Sequence, residues 1–186
     1  VGEARLKLGR NASTCFIIID AQRMKNTDSA EQKGVDAGKK VSGIKRHIAV
    51  DILGLPHAIE LTTAEVTDRA GALKAIADAA LFKTGQQRPG GWGYSGQTFA
   101  IAVHDQLGAA VQVAKRNELH IFEVIPQRWI VERSFAWLEK CRRLWKNCER
   151  KLNTSLQLIH FAFLVLLPKD REQVLKRMRE NPRHPA

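Results

Sequence analysis

The sequence has three cysteines and no long hydrophobic run. These two features argue against a disulfide-rich protein and against a membrane-spanning protein. Its three cysteines, Cys15, Cys141 and Cys148, are an odd number without a CxxC pair, which favours reduced thiols over a disulfide framework. No apolar signal segment is found near the first residue. The longest apolar region, residues 156–167, is too short to span a bilayer and is interrupted by polar side chains. We therefore expect a cytoplasmic protein without a membrane partner.

Neither the histidines nor the tryptophans indicate a metal site. The six histidines show no pairing at metal-ligand spacing, so we interpret them as structural or phosphate-contacting residues. The four tryptophans, Trp92, Trp129, Trp137 and Trp145, are interpreted as core or helix-packing residues, because aromatic side chains usually bury much of their surface. Base stacking is the alternative for them.

Acidic residues are outnumbered by basic ones. The chain has 19 Asp+Glu against 30 Lys+Arg, which gives a formal net charge of +11. Such an excess indicates a polyanionic partner, usually nucleic acid and less often an anionic membrane. The 186 residues suit one domain with a substantial core. Because the chain begins at Val1 rather than Met, we expect a fragment that lacks an upstream part.

A run of apolar residues that ends in a carboxylate is the starting point for the predicted fold. Residues 14–20 read Thr-Cys-Phe-Ile-Ile-Ile-Asp, and the large apolar residues predict a strand buried on both faces of a sheet. Asp20 would then stand at the end of that strand, at the rim of the sheet. The alternative is a strand-terminating Asp that caps the following turn.

The remaining pattern alternates strands and helices. The predicted elements are, in chain order, an exposed loop over 24–43, strands over 47–53 and 56–62 joined as a hairpin around Gly54, a helix from Thr67 or Asp68 to about Leu81, a helix over Phe99–Leu107, short strands over 109–114 and 121–125, a long helix from Trp129 to about Arg150, and a final helix to Leu167. This order predicts an α/β fold, a mixed sheet flanked by helices with a C-terminal helical extension. We expect a basic, irregular N-terminal segment (1–13), one domain (14–168) and a charged mobile tail (169–186).

Two groups of basic residues are candidates for contacts with DNA phosphates. The candidates are Lys39, Lys40, Lys45 and Arg46 near the exposed loop, and Arg133, Arg142 and Arg143 along the long helix. Cations in such clusters position a protein on the phosphate backbone. The alternative for each group is a solvated run of charge.

Two carboxylates from distant segments are candidates for a metal site. Asp20 follows the first apolar run, and Glu132 lies on the first turn of the long basic helix. Oxygen ligands from separate elements can hold Mg²⁺, which polarises a phosphodiester and activates water or a hydroxyl group. By spacing alone, Glu132 is better explained as a first-turn carboxylate that the helix dipole favours.

Several short blocks carry a resemblance to a known family. The blocks are IDAQ (19–22), DAGKK (36–40), KRHIAVD (45–51), LGLP (53–56), DRAGA (68–72) and RWIVERSFAWL (128–138). They closely resemble DDE transposases of bacterial insertion sequences, and the resemblance extends over about residues 14–168. It implies a ribonuclease-H-like fold that cuts and joins DNA with Mg²⁺, or plausibly Mn²⁺. It also implies that Asp20 is the first metal ligand and Glu132 the third, and that the protein forms a homo-oligomer on DNA.

One block departs from the family. Its second aspartate stands in a segment that resembles Leu-Ala-Asp-Gly-Gly-Tyr, whereas this chain reads Pro-Gly-Gly-Trp-Gly-Tyr over 89–94. Aligned on Tyr94, the family's aspartate corresponds to Gly91, which has no side-chain ligand to offer. Two compensating frameshifts between about Phe82 and Gly93 would account for the departure. Replacement of the missing ligand by Asp51 or Asp68 is a weaker alternative.

Three functions remain open from the sequence. The first is a metal-dependent transposase catalytic domain, whose activity would be lost by orders of magnitude without the second carboxylate. The second is a non-catalytic DNA-binding remnant that binds through charge, with a steep dependence on salt. The third is a ribonuclease-H-like nuclease without strand transfer.

Overall fold

The structure, a computed structural model, describes residues 1–14, 16–36, 40–78, 91–92, 97–107, 112–113 and 128–165. In chain order its elements are α1 (Gly2–Lys7), β1 (Ile18–Lys25), β2 (Gly34–Asp36), β3 (Val41–Val50), β4 (Pro56–Thr63), α2 (Asp68–Asp78), β5 (Gly91–Trp92), α3 (Gln97–Leu107), β6 (Gln112–Val113), α4 (Arg128–Glu139) and α5 (152–165). The predicted strand over 121–125 and the predicted tail over 169–186 lie outside these residues. None of the described helices is long and apolar enough to cross a membrane.

The sheet is built around β3. Strand β1 pairs antiparallel with one edge of β3, from Ile18 opposite Val50 to Lys25 opposite Gly43. The other edge of β3 pairs with β2 near its start and with β4 along the rest, again antiparallel. Strands β5 and β6 form a parallel pair, and β5 lies against β1. The strands around β3 are antiparallel and the neighbouring β5–β6 pair is parallel, so both kinds of pairing occur and the prediction of a mixed α/β fold is confirmed.

Both faces of the sheet are covered by helices. One cluster, under α4 and α5, contains Ile18, Met24, Ile44, Ile48, Val50, Val131, Leu138 and Phe163. The second cluster, under α2 and α3, contains Ile17, Ile19, Ala49, Ile76, Phe99 and Val103. Because side chains alternate across a strand, the three consecutive isoleucines contribute to the two clusters in turn. The expected burial on both faces is confirmed, and the fold is α/β and ribonuclease-H-like.

The turn between β3 and β4 is held by one buried carboxylate. Oδ1 of Asp51 accepts hydrogen bonds from the backbone N–H groups of Leu53 (2.9 Å) and Leu55 (3.0 Å). Gly54 has a φ of +79°, a left-handed conformation that glycine adopts without strain. The predicted hairpin around this glycine is therefore present.

The same carboxylate fixes the N-terminal segment. Arg5 of α1 donates to Oδ2 of Asp51, and Nε2 of His57 lies 3.2 Å from that oxygen. Burial raises the pKa of Asp51, but hydrogen bonds from His57, the Leu55 N–H and Arg5 outweigh it and leave the pKa below its ordinary value. The prediction that the N-terminal segment is irregular is wrong over α1, because a buried ion pair that no local pattern reveals holds this helix in place.

The first strand lies later in the chain than predicted, because it begins at Ile18 and not at Thr14. It continues for five residues beyond Asp20, and β3 begins within the segment 24–43 that was predicted as a loop. The polarity of this region suggested solvent exposure, but its side chains pair with one another, as Arg23 does with Asp36. Asp20 is consequently inside the strand and not at its end.

Helix α4 is shorter than the predicted helix, which extended to about Arg150. Turns occupy residues 140–146, and the backbone carbonyl of Leu144 accepts a hydrogen bond from Arg46 at 3.1 Å. The backbone N–H of Asn147 then donates to the carbonyl of Lys25 at 2.9 Å. These long-range bonds use backbone groups that a continued helix would need for itself.

Helix α2 approaches β3 closely at Gly71. A Cβ atom added to Gly71 would lie 2.1 Å from Nε2 of His47, which is closer than non-bonded atoms come. His47 is completely buried, and its Nε2 is hydrogen bonded to Oγ1 of Thr62 at 2.9 Å. Since the ring has no free space to enter, glycine is required at this position.

Gly71→Ala is expected to lower the free energy of unfolding by about 1–3 kcal/mol, the usual cost of overpacking a core. Urea denaturation followed by circular dichroism measures this change. In the double variant with His47→Ala the clash is absent, so the two substitutions together should cost less than the sum of their separate effects. Strictly additive costs would contradict the close approach of helix and strand.

The buried imidazole of His47 is also expected to make the stability of the protein depend on pH. Burial lowers its pKa from 6.5 to about 4, so the folded chain binds fewer protons than the unfolded chain between these pH values. Stability is therefore expected to fall as pH drops from 6.5 towards 4, by roughly 3 kcal/mol. His47→Gln should flatten this part of the stability curve, measured by urea denaturation across the pH series. An unchanged slope in that variant would assign the effect to another group.

Candidate active site

Asp20 and Glu132 are carried by two elements that pack on one another. Asp20 lies on the face of β1 that α4 covers, and it is partly buried. Its Oδ1 accepts a hydrogen bond from the backbone N–H of Ala21 at 2.8 Å. Glu132 lies on the second turn of α4, with 53% of its side chain exposed. Asp20 is thus held by the sheet, and Glu132 lies at the surface of the helix that packs on the same strand.

A direct contact between the two elements sets their relative position. Nε2 of Gln22 donates to Oε1 of Glu139 at 2.6 Å. Asp20 precedes Gln22 by two residues, so these side chains share one face of β1. Glu132 precedes Glu139 by seven residues, about two helical turns, so these side chains share one face of α4. The contact therefore brings the faces that carry Asp20 and Glu132 against each other.

Electrostatic effects on Asp20 agree with this placement. Burial raises the pKa of Asp20, and the negative charges of Asp68 and Glu132 raise it further. The N–H of Ala21 and the guanidinium of Arg128 act in the opposite direction, but the pKa remains above its ordinary value. Ionised Asp20 is thus destabilised, and a bound cation would relieve that cost.

Arg128 interacts with both candidate carboxylates, although it is not among the site residues predicted from the sequence. Its Nε lies 2.9 Å from Oε1 of Glu132, one helical turn away, and its charge also acts on Asp20. The positive charge of Arg128 therefore acts on both carboxylates. The signal was available in the sequence, because Arg and Glu four residues apart on a helix are neighbours.

The donor set suits a divalent cation only in part. Within the described ranges, no group of three or more histidine, cysteine or carboxylate side chains could hold a metal ion. Asp51 is enclosed in its turn, and Asp68 pairs with Lys45 at 3.0 Å. The carboxylates of Asp20 and Glu132 are the hard oxygen donors that remain for Mg²⁺. They would supply two protein ligands, and the resemblance expects a third.

Comparison with known proteins decides the family. The family model described as a transposase DDE domain matches residues 11–167. The chain belongs to the DDE transposase family. It is also 37% identical over 133 residues to a Burkholderia cepacia protein named "Putative transposase for insertion sequence element IS402". That match covers 67% of this chain and 60% of the relative, so the chain spans well under the full length of the relative. No solved structure matches it.

In this transposase domain, Gly91 lies on a strand next to β1. It opens β5, where it pairs with Gln112 of β6, and β5 lies against β1, the strand that carries Asp20. A glycine at this position contributes no side-chain oxygen. Its correspondence with the family's second aspartate stays a prediction.

Two cations predicted to contact DNA are buried in the transposase domain. Arg46 is 1% exposed, and its guanidinium donates to Oε1 of Gln22 and the carbonyl of Leu144. Burial lowers the pKa of Arg46 to about 10. Lys45 is 7% exposed, and its Nζ donates to the carbonyl of Val66 at 2.8 Å. Because both side chains are used inside the protein, we leave them out of the proposed DNA contacts.

Arg133 is also engaged within the transposase domain. Its guanidinium carbon lies 4.9 Å from the ring centre of Trp129 and 4.8 Å from that of Trp137. Its Nη2 donates to the carbonyl of Leu53 at 3.4 Å. These contacts hold the guanidinium against the turn between β3 and β4, so we also leave Arg133 out of the proposed phosphate contacts.

The remaining predicted cations lie at the surface. Lys40 is exposed just before β3, and Arg142 and Arg143 are exposed in the turns that follow α4. Lys39 lies outside the described residues. Lys40, Arg142 and Arg143 stay candidates for phosphate contacts.

The expected burial of tryptophan holds for one of the three side chains that are described. Trp137 is 9% exposed and belongs to the core under α4. Trp129 is 54% exposed and Trp145 is 60% exposed, so the prediction that they are buried is wrong. Trp129 packs one face on Arg133, whereas Trp145 lies in the turns after α4.

The different settings of Arg46 and Arg142 predict different consequences of their loss. Arg46→Ala leaves the Leu144 carbonyl and the Gln22 amide without their buried partner, so unfolding should become easier by roughly 2–4 kcal/mol. Arg142→Ala, the matched surface control, should change stability by less than about 0.5 kcal/mol. Urea denaturation of both variants tests this difference. Equal effects of the two substitutions would contradict a structural role for Arg46.

Proposed function

We propose that this chain is the catalytic domain of an insertion-sequence transposase that hydrolyses DNA at the element's ends and joins the freed 3′-hydroxyl to target DNA. The observation that carries the proposal is the packing of β1 on α4, through the face of β1 that carries Asp20 and the face of α4 that carries Glu132. Membership of the DDE transposase family and the net charge of +11 support DNA as the substrate.

The two carboxylates have distinct proposed roles. Asp20 is the fixed ligand, because its strand and the Ala21 N–H hold it in one position. Glu132 is the adjustable ligand on the helix surface, and Arg128 orients it through their 2.9 Å ion pair. When bound by these carboxylates, Mg²⁺ or Mn²⁺ would polarise the scissile phosphodiester and activate the attacking oxygen. Lys40, Arg142 and Arg143 would bind phosphates on either side.

A second candidate function is a DNA-binding remnant without catalysis. Gly91 favours it, because the resemblance expects an aspartate there and glycine supplies no charge to the site. Without the carboxylate of the family's second aspartate, Asp20 and Glu132 alone would have to neutralise the charge of the bound cations. In this case the chain would bind DNA through its positive surface, and by mixing with intact copies it would form inactive assemblies.

Restoring the missing carboxylate separates the two functions. Gly91→Asp is expected to raise metal-dependent cleavage of a supercoiled plasmid that carries the element's ends by about tenfold or more, because a third oxygen ligand completes the cation site. It should also tighten Mn²⁺ binding, measured by calorimetry without DNA. Joined products, and not nicks alone, would distinguish a transposase from a simple nuclease.

Two matched variants are the controls for this experiment. Asp20→Asn and Glu132→Gln keep the size of each side chain but remove its charge, so either one should abolish the gain made by Gly91→Asp. If Gly91→Asp binds no more Mn²⁺ than the parent chain and cuts no more DNA, the assignment of position 91 to the site is wrong. If the parent chain itself cuts and joins DNA, the remnant function is excluded.

A further inference from the structure

The turns that follow α4 form a compact basic surface around one exposed tryptophan. We call residues 140–146 the basic loop; its sequence is Lys-Cys-Arg-Arg-Leu-Trp-Lys. Trp145 is 60% exposed, and Nζ of Lys146 lies 4.8 Å from the centre of the indole ring. The exposed indole offers a large apolar surface on which an aromatic ring can stack.

Neighbouring acidic residues neutralise only part of the positive charge of the basic loop. Glu139 accepts a hydrogen bond from Gln22, and Glu149 pairs with Arg143 at 2.5 Å. Among the described residues, no carboxylate forms an ion pair with Lys140 or Arg142. The basic loop therefore presents net positive charge beside the indole.

The basic loop is held rigidly at its base. Leu144 is buried, and its carbonyl is fixed by Arg46. Asn147, which is 2% exposed, donates from Nδ2 to Asn26 at 3.0 Å and accepts at Oδ1 from Ser155 at 2.6 Å. A surface that is ordered before binding loses less conformational entropy when it binds, which favours affinity.

We propose that the basic loop binds an unpaired nucleotide of DNA, with a base stacked on Trp145 and the flanking phosphates bound by Arg142 and Lys146. Stacking on an aromatic ring requires a base outside the duplex stack, since a paired base has no free face. The net positive charge of the loop favours a polyanion, and therefore nucleic acid, over a second protein as the partner. The inference rests on the proposed function only in taking DNA as the ligand.

The position of the basic loop suits such a contact. Its first residue follows Glu139, which is about 10 Å along α4 from Glu132, at a rise of 1.5 Å per residue. Because the loop continues directly from the helix that carries Glu132, a DNA strand that extends from the carboxylates along α4 would reach it. The loop would therefore bind a single-stranded segment next to the cleavage point.

The test measures binding of a labelled 15-nucleotide oligo(dT) and of a duplex of equal length, with EDTA present so that no metal-dependent step contributes. Trp145→Ala should weaken oligo(dT) binding by about tenfold, the scale of one lost stacking contact, and change duplex binding by less than about twofold. Trp145→Phe should keep most of the affinity, because a ring remains. Phe161→Ala on α5 removes another exposed aromatic residue, 62% exposed, and should change neither affinity.

A second measurement tests the phosphate contacts. Arg142→Ala should reduce the slope of log K against log[salt] by about 0.7 for oligo(dT) and by about 0.9 for duplex, the contribution of one phosphate contact in each. Urea denaturation and size-exclusion chromatography of each variant confirm that the fold and the oligomeric state are unchanged.

Several results would overturn the inference. They are an absence of oligo(dT) binding by the parent chain, equal losses for oligo(dT) and duplex in Trp145→Ala, or a change in oligomeric state in that variant with DNA binding intact. The last result would assign the tryptophan to a protein interface. Because all binding is measured without metal, a selective loss with oligo(dT) supports the inference even if Gly91→Asp fails to cut DNA.

Discussion

The charged side chain of Arg46 is buried, and its hydrogen bonds connect β1 to the segment that follows α4. The guanidinium donates to Gln22 on β1 and to the Leu144 carbonyl after α4, and its carbon lies 5.7 Å from the ring centre of Phe135. Gln22 uses its carbonyl for Arg46 and its amide for Glu139. These polar contacts are connected through Gln22, and together they fix the position of α4 along β1. Because a buried donor without a partner is costly, any other register would lose these bonds as well as apolar packing.

This arrangement explains why some parts of the fold were predictable from the sequence and others were not. The strand through Ile17–Ile19, the hairpin at Gly54 and helix α3 follow from local apolar pattern and turn chemistry, and the structure has all three. The extension of β1 depends on its pairing with β3, as Lys25 pairs with Gly43, and the end of α4 depends on the bond between Arg46 and the distant carbonyl of Leu144. A window of neighbouring residues contains no information about such bonds, so polarity was interpreted as exposure.

The same limit applies to the candidate site. Asp20 and Glu132 are 112 residues apart, so local patterns make each a candidate ligand but do not show that β1 packs on α4. Among the cations, the run Lys45-Arg46 read as a phosphate-binding cluster, but in a strand these two side chains point to opposite faces and both are buried. Burial of a charged residue depends on which tertiary partners are available, and composition does not specify them.

The contacts that position the carboxylates do not involve position 91. Arg46, Gln22 and Glu139 hold β1 against α4 through their own side chains, and Arg128 orients Glu132 from the same helix. A domain with glycine at position 91 and a domain with aspartate there would therefore share this framework, and they would differ in the charge available to bound cations. For this reason a DNA-binding remnant and an active transposase can have the same fold, and the chemistry at one strand position separates them.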